Sequence, residues 1–316
     1  MDGSGRVNLT ELLRTAPMPA VAVSIFDRER VLMRGVRGAP EHAWWDLASV
    51  TKILVTLPEA LHWLELDRPL EQQWLRAKGK PVGAATVRQL LAHNAGLPAI
   101  VPFFQTAQGR EEIVEGALNL ALEREPGGEA VYSDFGFLLL GELVQEVSGQ
   151  SLPELAAART GLRFGPIGEQ AVPTERCAWR GRLVVGKVHD ENAYAMGGVA
   201  GHAGAFGTLD LVTAAARSWF AGTDPEVIRC QATNSQGERF GLGWWLANTR
   251  GLGGPAPGPS AYGCSGFVGN RIWLEPDYGY GVVILSNRVH PVRGDRAPFA
   301  AWCAGLLHQA GTALRG

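Results

Sequence analysis

Ser49 and Lys52 stand three positions apart in Asp46-Leu-Ala-Ser-Val-Thr-Lys52, and an apolar run over residues 53–57 follows directly. A polar residue ahead of an apolar periodic run marks the start of a helix, and positions i and i+3 of a helix share a face. Hydroxyl and amine are therefore expected to point into one space. Val50, Ile53, Leu54 and Val55 surround the lysine in sequence, so burial is expected to desolvate its ammonium and lower its pKa toward neutrality. A neutral lysine can take a proton from a serine. The helix N-terminus adds backbone N–H groups and a positive dipole end beside Ser49, which suits a site where an acyl oxygen gains negative charge. Ser-x-x-Lys also arises by chance, as a plain helix cap followed by a lysine, so the rest of the chain has to decide.

Two further stretches carry candidate groups. Tyr132-Ser133-Asp134 directly precedes an apolar stretch over residues 135–147 that closes at Gly149, so the tyrosine is expected to project from the loop entering a helix. Residues 186–204 are rich in glycine and hold His189, Asp190, Glu191, Asn192 and His202. We read them as a long irregular loop lining a cleft, held by internal hydrogen bonds or touching substrate. The spacing fits no zinc pattern such as His-Glu-x-x-His, so no metal is expected. His93, at the corner after a capping box at Thr86-Val-Arg-Gln89, is read as tying down backbone.

The elements that position these groups follow from periodicity. Residues 20–26 and 31–35 read as an antiparallel hairpin, and the helix opened by Ser49 runs to about residue 65, with a kink expected at Pro58. Helices are expected over 111–122, 135–147, 151–158, 209–220 and 298–314, and strands over 240–247, 261–265, 267–275 and 280–286. Strands at both ends and helices between them imply one antiparallel sheet shared by the terminal segments, residues 1–48 and 205–316, with residues 49–204 as a mainly helical lobe.

With 316 residues the chain can bury a large core, and 29 basic against 31 acidic side chains leave a formal charge of -2. That balance favours neither nucleic acid nor an anionic membrane. The first 18 residues carry charges and no apolar core, and no segment runs 18 apolar residues, so the reading is a cytoplasmic protein without a membrane span. Cys177, Cys230, Cys264 and Cys303 are widely spaced, so free thiols are expected.

Taken together, Ser49-x-x-Lys52, Tyr132-Ser133-Asp134 and Gly263-Cys-Ser-Gly-Phe267 resemble the serine β-lactamase and penicillin-binding-protein superfamily. The branch most similar is that of class C β-lactamases, D-alanyl-D-alanine peptidases and esterases, with support from Leu47-Ala-Ser-Val-Thr-Lys52, Gly96-Leu-Pro98 and Trp273-Leu-Glu-Pro276. The resemblance implies a β-lactamase-like α/β (α+β) fold, an antiparallel sheet flanked by helices with an inserted all-helical lobe. It implies Ser49 as nucleophile forming an acyl-enzyme, Lys52 as base, Tyr132 sharing proton transfer, and the backbone N–H groups of Ser49 and Phe267 as oxyanion hole. Asp134, Cys264, Ser265, Gly266, His189 and His202 would face substrate, and no cofactor is needed.

Two positions depart from the family pattern. Asp134 stands where asparagine is usual and places negative charge near Lys52, which raises rather than lowers the lysine pKa. Cys264 stands where lysine or histidine is usual, so a group that holds a substrate carboxylate is missing, and neutral esters or amides gain weight unless Arg271 or Arg288 restores the charge. The expected function is a serine hydrolase acting through an acyl-enzyme on a small ester, amide or peptidic substrate, muropeptides and D-Ala peptides among them. The alternative is a catalytically impaired binding or sensing module of the same fold. The Gly-x-Ser-x-Gly elbow of α/β-hydrolases is set aside because Phe267 occupies its last glycine. Oligomeric state is left open.

Overall fold

A computed structural model describes residues 7–247 and 249–314. One antiparallel sheet of eight strands organises the molecule. In spatial order the strands are Val31–Arg37, Val21–Phe26, Tyr280–Ser286, Asn270–Glu275, Tyr262–Gly266, Trp245–Leu246, Arg239–Phe240 and Ala232–Thr233. The first hairpin therefore closes on the last strand, with Val21 opposite Ser286 and Phe26 opposite Gly281, so the ends of the chain share one sheet.

Side chains alternate between the two faces with the period of two that a strand imposes. Val21, Val23 and Ile25 join Trp273, Val282 and Ile284 in one core, and Ala22 and Phe26 join Ile272, Leu274, Val283 and Leu285 in the other. Both faces are covered, which is why these strands read as continuous apolar runs. The first face is closed by helices Leu9–Thr15 and Ala297–Leu314. The latter turns Cys303, Leu306, Leu307 and Ala310 inward at helical spacing, and the Trp302 indole N–H bonds the Leu12 carbonyl at 2.9 Å. Helix Leu209–Gly222 packs on the second face, against strands Val21–Phe26 and Tyr280–Ser286. Helix Asp134–Ser148 is fully apolar over much of its length and sits in the core of the lobe.

Several expected elements are corrected. Residues 240–247 are two short strands joined by a turn at Gly243, whose φ is 77°, and the strand expected from residue 267 begins at Asn270. The helix expected over 111–122 is Gly109–Leu118, ended by Asn119, whose side-chain amide bonds the Glu115 carbonyl at 2.7 Å. The glycine-rich loop contains a short helix, Glu191–Ala195. Pro58 does not break the helix after Ser49. Instead Lys52–Thr56 widens into a π-helical turn, with the Leu57 N–H bonded to the Lys52 carbonyl, and the helix continues as Leu57–Trp63. A proline cannot supply the N–H of an α-helical turn, and the wider turn absorbs that loss.

Candidate active site

Ser49 is presented by a turn between a strand and a helix. Strand Trp45–Asp46 pairs with Ala205–Gly207, after which Ala48 takes the left-handed conformation at φ 45° and the helical run begins. Such a conformation is costly for alanine and persists only where neighbours fix it. Here the Asp46 carboxylate fixes it, accepting the Ala48 N–H at 2.7 Å and the His189 N–H at 2.6 Å. Burial pushes the Asp46 pKa above its ordinary value, outweighing His189 and the two N–H donors. The Asn270 amide ties the same turn to the sheet, donating to the Asp46 carbonyl at 2.7 Å and accepting the Ser286 N–H at 3.2 Å. Gly266 is needed at the crossing, since a Cβ there would lie 2.7 Å from the Leu47 carbonyl oxygen.

The Lys52 ammonium is the hub. It donates to Ser49 Oγ at 3.0 Å, to Asp134 Oδ1 at 2.7 Å and to the His202 carbonyl at 3.3 Å. It also bonds the Tyr132 hydroxyl and lies 5.0 Å from the centre of that ring. Hydroxyl, amine and phenol thus meet in one space. Of the two opposed expectations, lowering by burial gives way to raising by Asp134: burial acts to lower the pKa, but the Asp134 carboxylate, with Tyr132 assisting, raises it above its ordinary value. In the resting site Lys52 is an ammonium that donates to Ser49.

Tyr132 is held by the entry to helix Asp134–Ser148. Ser133 caps that helix, accepting the Phe135 N–H at 3.2 Å and donating to the Pro98 carbonyl at 2.6 Å. His93, itself left-handed at φ 59°, receives the Ser133 N–H on Nδ1 at 3.2 Å and the Val131 N–H on its carbonyl at 2.8 Å. Its ring lies 4.5 Å from that of Tyr132, and Trp245 meets Tyr132 edge-on at 5.3 Å. His93 ties down the backbone on either side of Tyr132.

These groups open into a cleft of about 230 Å³ lined by Ser49, Tyr132, Asp134, His189, Asp190, Ser265, Gly266 and Phe267, with Ile100 and Trp245 as apolar wall. Among the described residues neither the Ser49 nor the Phe267 backbone N–H is engaged by a carbonyl, as an oxyanion hole requires. Two expected contacts are corrected. The Cys264 thiol, alternating with Ser265 along its strand, is buried in the apolar core behind the cleft wall, which pushes its pKa up to about 12. The His202 ring is buried against Asp190, 3.0 Å from Oδ1, so this residue serves the site through its carbonyl. Burial works to raise the Asp190 pKa, but His202 holds it below the usual carboxylate range.

The sequence reading missed the cations of the cleft. Arg271, on the far face, gives its guanidinium to the Leu252 carbonyl at 2.9 Å, and Arg288 bonds the Phe267 carbonyl at 2.6 Å. Arg293 and Arg296 line the cleft, and the run of arginines after the last strand was their only sequence signal. Glu175 was missed too: its carboxylate bonds Arg293 at 2.6 and 2.8 Å and lies 3.3 Å from His189 Nε2. Burial raises and His189 and Arg293 lower its pKa, with a net fall to about 2. Glu175, Cys177 and Glu191 bring three ligand atoms within 4.8 Å of one another, but Arg293 already pairs with both carboxylates.

The Beta-lactamase family model matches residues 8–305. The chain is 28% identical to an Escherichia coli (strain K12) protein named "Putative D-alanyl-D-alanine carboxypeptidase", over 82% of this chain and 72% of that one. It is 27% identical to the N-acetylmuramyl-L-alanine amidase of Bacillus subtilis (strain 168), over 65% of this chain and 56% of that one. Its fold is similar to that of the octameric penicillin-binding protein homologue from Pyrococcus abyssi, with a TM-score of 0.72, 19% identity, and coverage of 95% of this chain and 76% of that one. With the family pattern running through almost the whole chain and the sheet, cleft and Ser-x-x-Lys turn in place, the chain belongs to the beta-lactamase family and is a serine hydrolase of that superfamily.

Proposed function

We propose that Ser49 attacks the carbonyl of a small peptidic amide, of the kind found in muropeptides and D-Ala peptides, and carries the acyl group as an ester. The observation that carries this reading is the Lys52 ammonium, bonded at once to Ser49, Tyr132 and Asp134. As Ser49 Oγ bonds the carbonyl carbon, its proton passes to Lys52 while Lys52 releases one to Asp134. Tyr132 then protonates the leaving nitrogen and is resupplied through Lys52. The N–H groups of Ser49 and Phe267 receive the oxyanion, a contribution of about a hundred- to a thousandfold per donor.

The peptidic substrate class is supported by the names of the two relatives and by Arg293 and Arg296 on the cleft wall. Arg293 is paired with Glu175 and Glu191, so it is the charge of Arg296 that suits a carboxylate on the substrate and offsets the neutrality of Cys264. Four unpaired cysteines support a reducing, cytoplasmic address, and among the described residues no helix is long and apolar enough to cross a membrane.

A fluorophosphonate probe is expected to add one adduct to the parent protein and none to Ser49→Ala. Labelling that persists in the variant would show that the nucleophile lies elsewhere. A panel of muropeptides, D-Ala-D-Ala peptides and neutral esters tests the substrate class, and turnover of esters alone would overturn the peptidic reading.

A further inference from the structure

Hydrolysis of an acyl-enzyme needs a second proton transfer, from the incoming water. Lys52 is badly placed for it, because its ammonium already serves Ser49, Asp134, Tyr132 and the His202 carbonyl. Other ionisable groups on the cleft wall are also committed. Asp190 holds His202 and the Ala193 N–H, and Glu191 pairs with Arg293.

Tyr132 and Asp134 belong to the acylation relay, and His189 is the one imidazole on the cleft wall among the described residues. Its backbone N–H shares the Asp46 carboxylate with the N–H of Ala48, so His189 is tethered to the residue before Ser49 across the width of one carboxylate. Its ring stacks on Phe267, 5.5 Å between centroids at 24°, next to the backbone N–H assigned to the oxyanion. Nε2 faces Glu175 at 3.3 Å. The two are close but off the line of a hydrogen bond in the resting site; a proton drawn to that nitrogen by the carboxylate leaves the lone pair on Nδ1, as in serine-hydrolase triads.

We propose that His189, oriented by Glu175, is the general base that activates the deacylating water. The inference rests on the acyl-enzyme reading above. Water gives a proton to Nδ1 while its oxygen bonds the acyl carbon. Collapse of the tetrahedral intermediate breaks the bond from that carbon to Ser49 Oγ, which recovers a proton from Lys52. The imidazolium then releases its proton to solvent and Lys52 takes one up in exchange, which restores the resting ammonium. Glu175 is suited to the role because it remains ionised down to a pH of about 2.

The test follows p-nitrophenyl butyrate, whose leaving group needs no protonation, with the full-length protein. Acylation is read from the p-nitrophenolate burst, and deacylation from decay of the butyryl adduct by intact mass after substrate is removed. His189→Ala is expected to keep the burst while adduct decay slows about a hundredfold, in line with the usual weight of a general base. Added imidazole is expected to restore decay in that variant, which a merely structural histidine would not allow. Glu175→Gln is expected to slow decay about tenfold with the burst intact, as loss of an orienting partner does. His189→Gln keeps a polar side chain in place and guards against a folding defect, which would lower burst and decay together. Adduct decay at the parent rate in the histidine variants, or a joint loss of burst and decay that imidazole leaves unchanged, overturns the proposal. An adduct that still forms in Ser49→Ala would instead overturn the nucleophile assignment.

Discussion

Asp134 sets the charge of the site, and its effect on Lys52 has a definite sign. A lysine whose pKa is higher folded than unfolded adds stability at every pH below the unfolded value. That contribution fades only as pH climbs through the folded value. Asp134→Asn leaves burial opposed by Tyr132 alone, so the folded Lys52 pKa is expected to drop below the unfolded one, and the variant then gains stability as pH rises. Urea melts are expected to show a deficit of about 2–4 kcal/mol at pH 7, the usual scale for stripping a partner from a buried charge, that narrows toward pH 10. A deficit that stays constant across this range would show that Lys52 keeps its proton by other means. The sequence showed half of this balance, since the apolar neighbours of Lys52 announce burial locally. The opposing carboxylate comes from 82 positions away, and only the family resemblance placed it opposite the lysine.

Caps were legible among the elements because their signals are local. Thr86, Ser133 and Ser151 all accept an N–H from the first turn of the helix they open. Interruptions were not legible, because packing decides them. Residues 240–247 are apolar and aromatic as a buried strand should be, yet a Cβ on Gly241 would lie 2.4 Å from the Val227 carbonyl and one on Gly243 2.9 Å from Ile53, contacts that no local pattern contains. Gly266 is the same kind of close approach at the site itself. Gly266→Ala sets a Cβ against the Leu47 backbone, which has no flexible end to yield, so strand and nucleophile turn must separate. We expect a stability loss of about 1–3 kcal/mol by thermal melting, typical of overpacking. Because the displaced turn carries Ser49 and the strand end carries Phe267, kcat is expected to fall about a hundredfold with KM little changed, as for loss of an oxyanion donor. A variant that loses stability but keeps kcat would mean that the Phe267 N–H takes no part.

The whole molecule is closed twice, once by a pairing that apolar patterning announces and once by an ionic knot that it does not. The first is the meeting of the two ends of the chain in one sheet, which follows from where the β-rich runs fall. The second is Glu175, buried and bonded to Arg293 118 positions later, with Arg293 reaching on to Glu191 and Glu175 facing His189. Nothing beside Glu175 in sequence marks it, since Arg293 comes from a distant loop and His189 from beyond the hairpin that follows. The knot gives the fold a calculable weakness in acid. A carboxylate whose pKa is lower folded than unfolded contributes stability above its unfolded value, near 4.3, and loses it as pH falls through the folded value. For Glu175 that window runs down to about 2, and the contribution is of order 2–3 kcal/mol after allowance for the Arg293 and His189 charges it shares. Melting temperatures of the parent and of Glu175→Gln are therefore expected to differ most between pH 5 and 7 and to converge as pH approaches 2. Curves that stay parallel across that interval would place the acid sensitivity of the fold in other carboxylates and reduce Glu175 to its local role beside His189.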